Sequence, residues 1–138
     1  MTHLLEPLLI YTPYLALLLR VVVGASLMMH GYPKLKSREQ AVNFMKSVGI
    51  PGGTAVMAGI LEFLGGLFLV IGLIVPIVGL FLAIQFASIV VMKSTKMKAK
   101  YIAPSGASYE IDVTYLLLSL VLLVLGAGVL SIDGLLGL

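Results

Sequence analysis

The chain contains no cysteine. That absence excludes disulfides, thiolate catalysis, cysteine-ligated iron–sulfur clusters and covalently attached haem. Charge is scarce too: Asp, Glu, Lys and Arg make up 11% of the residues, against roughly 25% in soluble domains. Histidine occurs twice, as His3 and His30, at opposite ends of the first apolar stretch. Bis-histidine haem ligation by one chain and a zinc site are therefore not expected.

What is present is hydrocarbon. Of 138 residues, 60% are hydrophobic, and the mean hydropathy is +1.14. This composition describes an integral membrane protein with a single membrane domain spanning residues 1–138 and no room for a separate soluble one. The net charge of +3 is not a nucleic-acid signal, because its lysines lie in short segments beside apolar runs. A cleaved leader is not expected: no basic residue precedes the first run, and Arg20 would interrupt its apolar centre.

Four spans are predicted, at about 13–31, 54–74, 76–93 and 112–130, giving an all-α four-helix bundle. Thr12–Pro13 suits the start of the first, with threonine as cap and proline in the opening turn. His3 to Tyr11 either lies along the interface or extends this helix. The apolar stretch from Ala55 to Met92 is too long for one crossing, and Gly72 with Pro76 marks the break. Between spans one and two, Ser37-Arg-Glu-Gln40 resembles a capping box. Ala41, Phe44, Met45 and Val48 recur at helical spacing up to Gly49, predicting a short amphipathic interfacial helix over 37–48. Tyr101 to Ser108 reads as a turn or short hairpin.

Lys34, Lys36, Arg38 and Lys46 fall between spans one and two, and Lys93, Lys96, Lys98 and Lys100 between three and four. The connections on the other side carry none. The positive-inside rule therefore predicts a multi-pass protein of the cell membrane, with the lysine-bearing loops (34–46 and 93–100) cytoplasmic and both termini outside.

Within this frame Arg20 and Glu62 are isolated charges, each inside an apolar run. A charge at mid-membrane costs about 2.5–3.5 kcal/mol on insertion scales, so such residues usually face a bundle interior or wet cavity. Arg20 either snorkels to the nearby helix start or holds an interior partner, Glu62 or a ligand. Gly59 and Gly66 flank Glu62 on one helical face, so that face admits a close helix neighbour and directs Glu62 inward. Helix geometry puts the two charges within reach of direct pairing or of a bridging water or ligand. His30 is an interfacial cap, proton relay or ligand contact. Gln85 and Ser88 on span three, with Tyr109, Glu110, Asp112 and Tyr115 around the start of span four, complete the polar set. Gly24, Gly79, Gly126 and Gly128 read as packing residues, and the methionines as core filling.

The order of these motifs resembles the DoxX family of small four-helix membrane proteins. The resemblance rests on Leu19-Arg20-Val-Val-Val-Gly24, His30-Gly-Tyr-Pro-Lys34-Leu35 and Gly49-Ile-Pro51. It continues through Gly59-Ile-Leu-Glu62-Phe-Leu-Gly65-Gly66, Tyr109-Glu110 and Gly126-Ala-Gly128-Val-Leu-Ser131-Ile-Asp133. The family's common arginine after the second helix has no counterpart here, where Pro76 follows Val75. The resemblance implies a four-helix bundle with a redox association, through a relation to the membrane subunit of an archaeal thiosulfate:quinone oxidoreductase. It nominates Arg20, His30, Lys34, Glu62, Tyr109 and Glu110; Gln85 joins them as a ligand-binding candidate on its own polarity.

Three readings of function follow. In the first, Arg20 and Glu62 face an intramembrane pocket that binds a quinone or other lipophilic ligand, and electrons arrive from a partner or a bound cofactor. In the second, the protein is a non-catalytic assembly or anchoring module in which both charges are structural. The third is a small-solute transporter, ranked last because no broken mid-membrane helix is visible. Self-association of so small a unit is compatible with all three.

Because the chain lacks cysteine, its orientation is directly testable with introduced ones. In intact cells a membrane-impermeant maleimide should label Leu135→Cys and spare Lys98→Cys until the membrane is permeabilised; the reverse pattern would invert the topology.

Overall fold

The computed structural model describes residues 6–137; the sequence expectation for His3 to Leu5 lies outside them. A 3-10 turn, Glu6–Tyr11, leads directly into α1, Thr12–Lys36. After Ser37 comes α2, Arg38–Ser47, then α3, Gly53–Ile71, α4, Val75–Thr95, α5, Glu110–Leu125, and the short α6, Ile132–Leu136. Among the described residues there is no strand, only an isolated bridge between Lys100 and Ser108. The protein is an all-α membrane protein.

Among the described residues three helical stretches are long and apolar enough to cross a bilayer: Glu6–Lys36, Gly53–Ile71 and Val75–Thr95. The fourth long helix, α5, is shorter, at 16 residues or about 24 Å. It stops at Gly126, whose φ of +71° lies in a region that side chains rarely occupy. Residues 126–130 consequently do not continue the helix. Outward faces are greasy and inward ones carry the polar groups, the reverse of a soluble protein. Leu18, Val22, Ile84, Leu117 and Val124 are exposed, whereas Arg20, Glu62, Ser119 and Asp133 are buried.

The helices form two intimate antiparallel pairs, α1 with α3 and α4 with α5. Glycines make the first pair possible. Gly24 of α1 lies against Gly66 of α3: a Cβ on Gly24 would stand 2.5 Å from the Gly66 carbonyl oxygen. One heptad along, a Cβ on Gly31 would stand 2.7 Å from the Gly59 oxygen. In α4 and α5, Gly79 meets the backbone of Ser119 and Leu123 in the same way. Lipid tails supply no hydrophobic drive between helices, so backbone approach through small residues does the work. Val23, Leu27, Leu69, Val78, Leu82, Phe86, Tyr115 and Leu122 fill the space between the pairs.

Three local expectations differ in detail. Thr12 is the first residue of α1, and the cap position is Tyr11, which makes no side-chain cap bond. Ser37 precedes α2, but its hydroxyl does not cap it, so the capping box is not formed. Pro33 lies inside α1, which runs to Lys36 rather than stopping near residue 31. Proline there removes one hydrogen bond near the end of the helix without stopping it.

At the opposite end of the bundle α3 passes into α4 through a tight turn. Gly72 has φ of +72° and Ile74 φ of +47°, an uncommon conformation for a β-branched residue. Asp133 holds this turn: its carboxylate accepts the Ile74 and Val75 amides at 2.6 and 2.9 Å, capping α4. Its own amide donates to the Gly72 oxygen at 2.9 Å. Arg20 completes the clasp, donating to the carbonyls of Leu69 at 3.2 Å, Val70 at 3.0 Å and Leu130. A helix end inside the membrane leaves carbonyls without partners, and this arginine supplies them.

Packing and strain can be separated by two glycine variants. Gly66→Val should lower stability by about 1–3 kcal/mol through overpacking against α1. Gly53→Ala, with open space around it, should be neutral or slightly stabilising. Thermal unfolding in detergent checks both; equal effects would contradict the glycine-mediated contact.

Candidate functional site

Arg20 and Glu62 do not meet. Gly24 is level with Gly66 and Gly31 with Gly59, which sets Arg20 beside Leu69 and Val70 and Glu62 opposite Gly31. The two charges are about eleven residues apart along α1, or roughly 16 Å. The sequence estimate of a shorter gap assumed that α1 and α3 end at the same depth. In the structure α1 overhangs the α3–α4 turn, so Arg20 lies at the end of α3 and is only 2% exposed. It neither snorkels nor lines a cavity with Glu62.

Glu62 instead receives Lys34. The Lys34 ammonium donates to both carboxylate oxygens, at 2.6 and 2.7 Å, and the Gln85 amide donates to Oε1 at 2.9 Å. Glu62 is 1% exposed, so its charge is met entirely from within the protein, as burial in lipid requires. Lys34 reaches it because α1 continues through Pro33. Lys34 falls at i+3 from Gly31, on the stripe of Ala16, Arg20, Val23, Leu27 and Gly31 that faces α3.

A second ion pair lies nearby. The Lys93 ammonium donates to Asp112 Oδ2 at 2.6 Å and to the Ser108 carbonyl at 3.0 Å. The four charged side chains line one cavity of about 340 Å³ together with His30, Phe86, Ile111, Tyr115 and the Gly106–Ser108 stretch of the α4–α5 loop. That loop is stitched shut below by Tyr109 and Glu110 amides donating to Lys100 and Tyr101 carbonyls. Tyr101 and Tyr109 pack edge to face, 5.5 Å between centroids.

A second cavity, about 420 Å³, opens between α1 and α5 and is lined by Val22, Val23, Ser26, His30, Glu110, Ile111, Thr114, Tyr115 and Leu118. His30, Ile111 and Tyr115 belong to both cavities. The Tyr115 hydroxyl is hydrogen-bonded to Ser26. Its ring stacks on Phe86 at 5.1 Å and takes His30 edge to face at 5.5 Å. A charged, self-neutralising chamber thus adjoins an apolar groove across one histidine and one tyrosine.

Of the residues nominated from sequence, the structure brings His30, Lys34 and Glu62 to the chamber. Gln85 touches Glu62, and Glu110 borders the groove. Arg20 belongs to the clasp, Tyr109 to the loop, and Ser88 is exposed with its hydroxyl returned to the Ile84 carbonyl. Lys93 and Ser26 emerge as site residues only from the structure, while Asp112 and Tyr115, noted in the sequence as members of the polar set, acquire their partners there. A signal for Lys93 existed: it continues the heptad of Leu82, Phe86 and Ile89 on the inner face of α4. As one of eight loop cations it was indistinguishable from a solvated lysine.

The pairing makes a stability prediction. Lys34→Met leaves Glu62 buried without its cation and should cost about 3 kcal/mol, the low end for a broken buried pair, since the Lys34 side chain is 36% exposed. The double variant Lys34→Met/Glu62→Gln should recover most of that loss. Additive losses in denaturant unfolding would show that the two residues are not coupled.

Comparison with known proteins gives the chain its relatives. The DoxX family model matches residues 15–94, more than half of the chain. The match takes in α1 through nearly all of α4, with Arg20, His30, Lys34, Glu62, Gln85 and Lys93. A Bacillus subtilis (strain 168) protein named putative oxidoreductase CatD is 32% identical over 117 residues, covering 85% of this chain and 83% of that protein. No solved structure matches. By its helices and by these matches, the chain belongs to the DoxX family.

Proposed function

We propose that this protein binds a lipid-soluble ligand with a quinone-type headgroup and serves as a redox accessory in the cell membrane. The headgroup occupies the polar chamber, and its tail leaves through the groove between α1 and α5. The observation that carries this reading is that the two cavities adjoin, sharing His30, Ile111 and Tyr115 in their linings. A polar recess beside an apolar groove suits an amphiphile with a polar head and an apolar tail. The oxidoreductase name of the Bacillus subtilis relative supports a redox setting. No cysteine is present and no bis-histidine haem is expected, so electrons come from a protein partner or a cofactor bound beside it. The buried ion pair at Glu62 supplies proton-handling groups at the headgroup.

In this reading α5 is the fourth crossing, its shortness made up by residues 126–137 covering the outer end. The lysine-bearing ends, and with them the chamber, lie toward the cytoplasm. Arg20 is a structural residue, as the assembly-module reading requires of it. The chamber has no place in that reading, and the continuous helices α3 and α4 give a transporter no discontinuous mid-membrane site.

The test is binding of a tailed quinone analogue to purified protein in nanodiscs. Wild type should bind it saturably at one site. Thr114→Trp, which fills the groove from an exposed position, should weaken the tailed analogue about tenfold, equivalent to about 1.4 kcal/mol, and leave a tail-less quinone unaffected. Absence of saturable binding to wild type would end the proposal.

A further inference from the structure

We infer that the chamber selects an uncharged headgroup bearing two acceptor oxygens, one for Lys34 and one for Lys93; this rests on the ligand-binding reading above and specifies its chemistry. An ammonium has three protons to donate. Lys34 commits two, both to Glu62. Lys93 also commits two, one to Asp112 and one to the Ser108 carbonyl. Each lysine therefore keeps one N–H unused among the described residues, and both ammonium-bearing side chains line the same cavity. They come from different helices, α1 and α4, so the two donors are fixed independently by separate carboxylates.

The charge balance narrows the ligand further. Lys34 with Glu62 and Lys93 with Asp112 sum to zero, so the chamber has no net charge with which to offset an anionic headgroup. Bringing a phosphate or sulfonate into it would force a third negative charge beside two carboxylates in a low-dielectric site. A neutral ring with two carbonyls meets the two spare donors without that cost. Asp112 also has one carboxylate oxygen without a partner among the described residues. This oxygen can accept from a hydroxyl, so the same chamber holds the dihydroxy form of such a ring. Both the carbonyl and hydroxyl states of one headgroup thus find complementary groups.

The experiment varies the ligand first, which leaves the fold untouched. A tailed para-benzoquinone and a ring of the same size and tail with one carbonyl replaced by methylene are titrated against wild type in nanodiscs. The dicarbonyl should bind about tenfold more tightly or better, the usual worth of a hydrogen bond to a charged donor. In Lys93→Met/Asp112→Asn, which leaves no unpaired charge, that preference should fall below about threefold, and an alkyl phosphate of equal tail length should not displace the quinone from wild type. Equal binding of the one- and two-carbonyl rings to wild type, or displacement by the alkyl phosphate, would overturn the two-donor inference while leaving a lipophilic site in place. Failure of both rings to bind would overturn the site itself.

Discussion

The structure depends on one requirement: Glu62, buried in a lipid-facing bundle, must have its charge answered by the protein. Glu62 is only 1% exposed, and an unpaired buried carboxylate is among the most costly groups a membrane protein can carry. Lys34 answers it, and much else follows. α1 must remain helical past Pro33 to present Lys34 on the inner stripe. α1 and α3 must lie at backbone contact for the ammonium to span the gap, and Gly31 and Gly59 allow that approach. Gln85 then ties α4 to the same carboxylate, so one buried charge links three helices.

The two intramembrane charges divide the labour. Arg20 belongs to the end of the bundle at the α3–α4 turn, where it gathers the carbonyls of Leu69, Val70 and Leu130 while Asp133 caps α4. Its two terminal nitrogens serve backbone oxygens, while its Nε is buried without a partner among the described residues, and the turn it braces contains Ile74 in a left-handed conformation. Glu62 lies toward the opposite end and borders a cavity. A charge whose contacts are all backbone carbonyls holds a fold, whereas one beside a chamber with spare donors can meet a ligand.

Much of this was legible in the residues. The helical membrane character follows from composition alone, and inward-facing Arg20 and Glu62 follow from the cost of charge in hydrocarbon. The glycines around Glu62 announced a close helix neighbour, though not which one. The relative depth of α1 was hidden, because nothing local states that its first turns overhang the α3–α4 turn. That error placed Arg20 near Glu62. The family resemblance nominated Lys34, but its pairing with Glu62 was hidden for a different reason: Pro33 reads as a helix stop, and a lysine beyond a stop reads as solvated. Lys93 and Asp112 come together from helices joined by a loop of fourteen residues, 96–109, a contact that only tertiary packing defines. Sequence periodicity marks faces well and depth poorly, and ion pairs across helices depend on depth.

The central claim is that the ligand site lies at Glu62 and not at Arg20, and site mapping with a photoreactive tailed quinone tests it directly. After illumination in nanodiscs and peptide mass spectrometry, the account predicts adducts on the chamber and groove, at Phe86, the 106–108 loop and Ile111, with excess unlabelled quinone abolishing them. Competable adducts confined to residues 69–73 and 130–133, around Arg20, would contradict it.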